Sequence, residues 1–237
     1  MFPVLCGNLM KISKQFKADF AHIVTTQDLP DGHRCKCRNI HGHSFKFTVE
    51  IIGNINPETG MVVDYTMLKP FKDFIDNFLD HSLVIAGKDF KIVREMAIIH
   101  KHNLPQDENY HALTFEIRKK FTPQAFGYHR LLIDPSKPVV IERIGTLTTI
   151  HNLKAVTAET LSMILTSVLA QILYDMKQKY GSKYFGEIMS VKVAVHETET
   201  TSASSVLGFM MDCVDFNDEY DYDDQIDPIE VVERRNE

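Results

Sequence analysis

The sequence predicts an α+β domain with an antiparallel sheet, and three observations carry the prediction. Apolar residues alternate with period two over residues 12–22, 41–51 and 191–197. They recur with helical spacing over two other stretches, 66–80 and 157–180. The resulting order, strand–strand–helix–insert–helix–strand, does not alternate strands and helices one to one, which argues against a doubly wound parallel sheet.

In the first strand Ile12, Lys14, Phe16, Ala18, Phe20 and His22 share a face, since successive side chains of a strand point to opposite sides. Residues 25–39 hold Asp28, Pro30, Asp31 and Gly32 and read as a loop. His41, His43, Phe45, Phe47, Val49 and Ile51 then share the face of a second strand. Residues 53–60 connect strands, and Met61 to Tyr65 extend the sheet. From Thr66, a candidate N-cap, Leu68, Phe71, Ile75, Phe78 and Leu79 follow helical spacing up to Asp80-His81. Residues 82–156 carry weaker signals: a short helix over Ile92–His100 and a hairpin within Pro138–Ile150. The second helix starts near Thr157, presents Leu161, Ile164, Leu165, Val168, Leu169, Ile172, Leu173 and Met176, and stops at Gly181. Val191, Val193, Val195 and Glu197 line the last strand.

Charge separates the chain into unlike parts. The net charge is −6, but residues 212–237 hold 11 acidic and two basic side chains, so the tail carries −9 and residues 1–211 carry +3. The tail lacks core residues and is expected to be disordered or loosely docked. One domain over 1–211 with an insertion at about 86–154 follows, with 212–237 as an acidic tail. The chain has four cysteines, no run of about 18 apolar residues, and a start without a basic leader. These predict a cytoplasmic protein with no membrane partner and no direct nucleic-acid binding.

His41-Gly42-His43 sets two imidazoles on one strand face, about 7 Å apart. His22 ends the matching face of the neighbouring strand. Three neutral imidazoles with one open position suit catalytic zinc, a Lewis acid toward hydroxyls and carbonyls. An H-x-H pair alone is common and mostly structural; the added His22 makes a ligand set of His22, His41 and His43. His100 and His102 repeat the spacing, but on a helix positions two apart diverge, so no site is read there. Cys37, four residues before His41, is a general base if a cation lowers its thiol pKa; otherwise it is a fourth ligand or a free thiol. Cys35 competes for each role. Asp80 and His81 can converge on a cleft at a helix end, or simply face water. Glu197 continues an apolar face, where a carboxylate is costly without a partner. It either faces water at the strand end or accepts paired N–H donors from a guanine-like edge.

Taken in order, these motifs resemble the 6-pyruvoyltetrahydropterin synthase superfamily. The resemblance rests on His22, on His41-Gly42-His43, on Gly60-Met61-Val62-Val63-Asp64-Tyr65 with Leu68-Lys69, and on Leu79-Asp80-His81. It continues through Thr157-Ala158-Glu159 and Val195-His196-Glu197-Thr198. It covers residues 12–85 and 155–205. Pro30-Asp31-Gly32-His33-Arg34-Cys35 and the four-residue step from Cys37 to His41 resemble the branch that makes 6-carboxytetrahydropterin for 7-deazaguanine (queuosine) biosynthesis. The pyruvoyl branch places its cysteine six residues ahead, as Cys35 stands.

The resemblance implies a tunnelling fold: a four-stranded antiparallel sheet carrying two helices on one face, closed into an oligomeric barrel, commonly a hexamer, with sites between subunits. It implies zinc on His22, His41 and His43, Cys37 as base, Asp80 and His81 as proton relay, and Glu197 with Thr198 as pterin anchor. The implied substrate is 7,8-dihydroneopterin triphosphate. The implied products are 6-carboxytetrahydropterin, acetaldehyde and triphosphate, or a pterin with its side chain kept in the pyruvoyl branch. A pterin- and zinc-binding protein without catalysis is the remaining alternative. The long insertion, Ala155-Val156 ahead of Thr157, Ser205 and the acidic tail depart from the family pattern.

Overall fold

A computed structural model describes residues 9–26, 35–90, 112–122, 133 and 136–208, with the backbone of 230–232. The predicted helix at Ile92–His100, the segment Pro30–Arg34 and most of the acidic tail lie outside the described residues.

The elements are β1 (Met10–His22), β2 (His41–Asn54), α1 (Lys69–Phe78), β3 (Leu83–Ala86), β4 (Ala112–Ile117), β5 (Val139–Ile144), β6 (Leu147–Ile150), α2 (Ala158–Tyr180), β7 (Glu187–His196), β8 (Ser202–Gly208) and β9 (Glu230–Val232). All nine strands join one sheet in the order β8-β7-β2-β1-β3-β6-β5-β4-β9. This corrects the expected four-stranded antiparallel sheet. Only β8-β7-β2-β1 is that unit; β3 pairs in parallel with both β1 and β6, so the sheet is mixed. The physical reason is the insertion. Residues within 86–154 form β4, β5 and β6, which pair beyond β3 and lengthen the sheet instead of making a separate body. The hairpin expected within 138–150 is β5–β6.

Long strands build the first half because their alternation is clean. Phe16, Ala18, Phe20 and His22 of β1, and Phe45, Phe47, Val49 and Ile51 of β2, are all buried. Phe20 stacks on Phe45 at 4.0 Å between ring centroids and 8° between planes, which locks the register of Phe20 against His43 and His22 against His41. β2 runs on to Asn54 and ends in a bulge against β7. A Cβ at Gly53 would lie 2.2 Å from the carbonyl oxygen of Glu187, and one at Gly186 2.0 Å from that of Asn54, so glycine is required where these backbones meet.

The helices cover the face that carries these phenylalanines. α1 buries Phe71, Phe74, Ile75 and Phe78. Thr66 is not its cap: Asp64 caps the 3-10 turn Tyr65–Leu68, its carboxylate accepting from Thr66 N at 2.8 Å. Met61 to Tyr65 do not extend the sheet either, beyond a single bridge between Val63 and Phe185. α2 starts in a capping box formed by Thr157 and Thr160 and is buried continuously from Thr160 to Leu173. A helix buried on all sides must satisfy its polar side chains internally. Ser162 Oγ donates to the carbonyl of Val193, and Thr166 Oγ1 to those of Ser162 and Ser205. Gly181, at φ +73°, ends the helix. Among the described residues no helix is long and apolar enough to cross a membrane.

Candidate metal centre

β1 and β2 deliver the three histidines by register alone. His22 faces His41 across the ladder with ring centroids 4.5 Å apart, and His43 sits two residues on, 5.0 Å from His41 and 5.5 Å from His22. Phe45 closes the cluster from below, edge-on to both His22 and His43. His22 is 1% exposed, and its side chain is the floor of the site.

Backbone carbonyls fix two of the rings. His22 Nδ1 lies 2.9 Å from the carbonyl of Val156, and His41 Nδ1 lies 2.8 Å from that of Asn39. A carbonyl only accepts, so each Nδ1 carries the proton and each Nε2 keeps a free lone pair, the tautomer a metal ligand needs. Burial holds the His22 pKa below its usual value; the Val156 carbonyl and Glu197 oppose this, while His41 and His43 reinforce it. The ring is therefore neutral near pH 7.

Glu197 joins the cluster. It follows β7 directly, and its Oε1 lies 3.0 Å from Nε2 of His22 and 3.3 Å from Nε2 of His43. Neither approach has hydrogen-bond geometry, so both buried nitrogens lack a partner. Ligand atoms at about 2.05 Å from a tetrahedral metal stand about 3.3 Å apart. The donor atoms of His22, His41, His43 and Glu197 all lie within 4.8 Å of one another. Two orphaned imidazole nitrogens turned on one point, with a carboxylate beside them, fit a zinc-sized cation. From sequence, only the unusual parity of a glutamate after Val191, Val193 and Val195 hints at this place for Glu197.

The remaining predicted residues divide. Cys37 is tied to the end of β1, its carbonyl accepting from Val24 N at 2.9 Å, two residues past His22, but its thiol is not among the converging ligand atoms and hydrogen-bonds with Cys35. Burial pushes the Cys37 thiol pKa up, and the bond to Cys35 and the charge of Glu197 add to the rise. Thr198 is exposed and closes the β7–β8 hairpin, bonding Thr201 Oγ1 at 2.7 Å and accepting from the Thr200 and Thr201 amides.

Asp80 and His81 lie elsewhere. The Asp80 carboxylate accepts from Asp19 N at 2.9 Å and pairs with His81 Nδ1 at 2.8 Å. His81 is bound through its amide to the Asp19 carbonyl, with φ +52°, a strained value for a side chain of this size. It borders an open cleft of about 490 Å³ that Asp19, Ala21, Ser44 and also His43 line. Asp19, Ala21 and Ser44 alternate with Phe20, His22 and His43 along their strands. Neither Asp80 nor His81 is among the residues whose donor atoms converge with those of the three histidines. Arg143, from the insertion, donates to the carbonyls of Asn77 and Asp80 and fixes this corner, a support the sequence did not suggest.

Comparison with known proteins gives the family. The family model described as 6-pyruvoyl tetrahydropterin synthase matches residues 11–206, a span that holds every residue of the cluster. The chain belongs to that family. Within the family, the chain is 39% identical over 80 residues to the 6-carboxy-5,6,7,8-tetrahydropterin synthase of Haemophilus influenzae, covering 32% of this chain and 52% of that protein. It is 24% identical over 132 residues to the enzyme of the same name from Rickettsia bellii, covering 53% and 89%. The first of these matches spans only about half of the relative's length. An uncharacterized protein from Wolinella succinogenes shares the fold, with a TM-score of 0.52 at 20% identity over 83% of this chain and 97% of that one.

Proposed function

We propose that the chain is a zinc-dependent lyase that converts 7,8-dihydroneopterin triphosphate and water to 6-carboxy-5,6,7,8-tetrahydropterin, acetaldehyde and triphosphate, a step of 7-deazaguanine biosynthesis. The observation that carries the proposal is the convergence of His22, His41 and His43, the first two with free Nε2 lone pairs, together with a carboxylate and a nearby thiol. Relatives named for this reaction support the substrate class.

His22, His41 and His43 hold the metal. Bound there, zinc supplies Lewis-acid polarisation of the substrate's side-chain oxygens and a positive charge that counters the upward push on the nearby thiol. Cys37 then takes the proton from the side-chain carbon next to the ring. Glu197, with a side chain 26% exposed, is within reach of a pterin edge and accepts its adjacent N–H donors; Thr198 steadies the turn that carries it. Asp80 and His81 serve as the proton-relay pair, on a cleft that His43 also lines. With this reading go a homo-oligomeric, hexameric assembly, which the family resemblance implies, and a cytoplasmic location, which the sequence composition suggests.

The pair of hydrogen-bonded thiols favours one second reading, in which Cys35 is the base and the side chain is kept. Mass spectrometry of the product separates the two. Acetaldehyde with a one-carbon substituent on the pterin supports the carboxy reaction; an intact three-carbon side chain replaces it with the pyruvoyl reaction. No turnover by the zinc-loaded protein sinks both. Cys37→Ala abolishes turnover if Cys37 is the base, and full activity in that variant transfers the role to Cys35.

A further inference from the structure

The insertion supplies donors that finish α1. The last turn of a helix leaves its carbonyls without partners inside the helix. Here the β5–β6 hairpin meets them. Arg143 and Thr148 are cross-strand partners in that hairpin. Arg143 Nη1 donates to the carbonyls of Asn77 and Asp80, each at 3.0 Å, and lies 3.4 Å from that of Asp76. Thr148 Oγ1 donates to the Phe78 carbonyl, and Ser82 Oγ to that of Leu79 at 2.6 Å. The guanidinium is itself anchored, with Nε donating to the Gly145 carbonyl of the hairpin turn at 2.9 Å. A cation at a helix C-terminus also opposes the negative end of the helix dipole.

Asp80 and His81 follow directly on this turn. Asp19 of β1 holds them from one side: its amide donates to the Asp80 carboxylate and its carbonyl accepts from His81 N. The hairpin holds them from the other, through Arg143 and through the Thr146 carbonyl, which accepts from Leu83 N at 2.8 Å. Between the two supports His81 keeps φ at +52°, a value that a side chain of this size holds only when its surroundings impose it. In that turn the Asp80 carboxylate meets Nδ1 of His81 at 2.8 Å. A carboxylate accepts, so Nδ1 carries the proton and Nε2 is left to take one up. The hydrogen bonds of Arg143 among the described residues all go to carbonyls, so it acts on this pair through the direction of the backbone.

We propose that Arg143 is a positioning residue for the reaction: by gripping the carbonyls of Asn77 and Asp80 it sets the Asp80–His81 peptide so that His81, at the cleft, keeps Nδ1 on the Asp80 carboxylate and Nε2 free. The insertion thereby takes part in the chemistry without touching substrate. The proposal rests on the reading of Asp80 and His81 as the proton relay.

Steady-state kinetics and nitrogen NMR of the histidine rings, both on the zinc-loaded full-length protein, test this, with His81→Ala assigning the His81 signals. In the parent His81 is the Nδ1–H tautomer. Arg143→Gln loses the planar fork that grips two carbonyls. It is expected to lower kcat about 100-fold, the scale for a misplaced reacting group, with KM and zinc content little changed, and to shift His81 toward the Nε2–H tautomer. Arg143→Lys, which reaches one carbonyl at a time, falls between the two. Thr148→Val removes a donor to the same helix end but none to Asp80; it lowers the urea midpoint of unfolding yet keeps the His81 tautomer and kcat. An unchanged kcat or an unchanged His81 tautomer in Arg143→Gln overturns the proposal. An equal loss of kcat in Thr148→Val also overturns it, since Arg143 would then only stabilise α1. The relay reading fails on a different result, full turnover in His81→Ala, and the role of Arg143 goes with it.

Discussion

The two halves of the sheet are built on different terms. In β8-β7-β2-β1 the strands run 7 to 14 residues, all antiparallel, with one face under α2 and α1. In β3-β6-β5-β4-β9 they run 3 to 6 residues and mix parallel with antiparallel pairing. A long ladder with one buried face fixes its register strongly, because a one-residue slip would turn every phenylalanine to solvent. That is the half that holds the three histidines. The short-stranded half holds none of them; it meets the first where β3 pairs with β1, Val84 opposite His22, and Arg143 supports the Asp80 corner. Register is fixed most strongly where the three histidines converge.

The comparison breaks first at the ligands. His41→Ala removes a donor on an otherwise intact ladder. The expected outcome is loss of bound zinc by elemental analysis and a fall in turnover of at least about 100-fold, above the range for residues that only orient ligands. Arg143→Ala, on the other half, leaves zinc content unchanged. Equal zinc loss in both would erase the distinction between the halves.

Packing sharpens it next. Phe45 is 1% exposed, stacked on Phe20 and edge-on to two site histidines. Phe45→Ala is expected to destabilise by about 3–5 kcal/mol in urea unfolding. Ile144→Ala, at a residue 43% exposed in β5, stays within about 0.5 kcal/mol.

The first half was legible in the sequence because its signals are redundant. Alternation from Phe16 to His22 and from His41 to Ile51 gives the strands, their burial and two sides of the metal site together. The second half was not. β3, β4 and β6 are four to six residues long, too short for period two to stand out from a buried run, and their pairing depends on contacts far away in the chain. β8 was missed for another reason: Ser202-Ala203-Ser204-Ser205 has no apolar alternation, and its Ser205 carbonyl is held by Thr166 from α2. At the site, the sequence put Glu197 on the right face but not against the imidazoles, since the hairpin that turns it inward is held by threonine hydroxyls.

Acid titration probes the corner between the halves. Burial raises the Asp80 pKa, but the Asp19 amide and His81 pull harder, and the net shift is downward. A carboxylate whose folded pKa is lowered contributes stability above its unfolded value, near 3.8, and loses it as pH falls through the folded value. The stability gap between the parent and Asp80→Asn is therefore full above pH 4 and closes below it. A gap that persists at lower pH would show that Asn disturbs packing, not charge.

The smallest effect ties fold to site. Thr157 caps α2, and the carbonyl just before it, Val156, holds His22 Nδ1. Thr157→Ala removes the hydroxyl that accepts from Thr160 N and should cost about 1 kcal/mol of stability. If the cap also sets the direction of the Val156 carbonyl, the same change frees the His22 ring and lowers zinc affinity about 10-fold, the lower end for ligand-orienting groups. Competition with a chelating dye measures this apart from unfolding. Loss of stability with unchanged affinity would mean that β1 and β2 alone aim His22, and that the helix covers the site without tuning it.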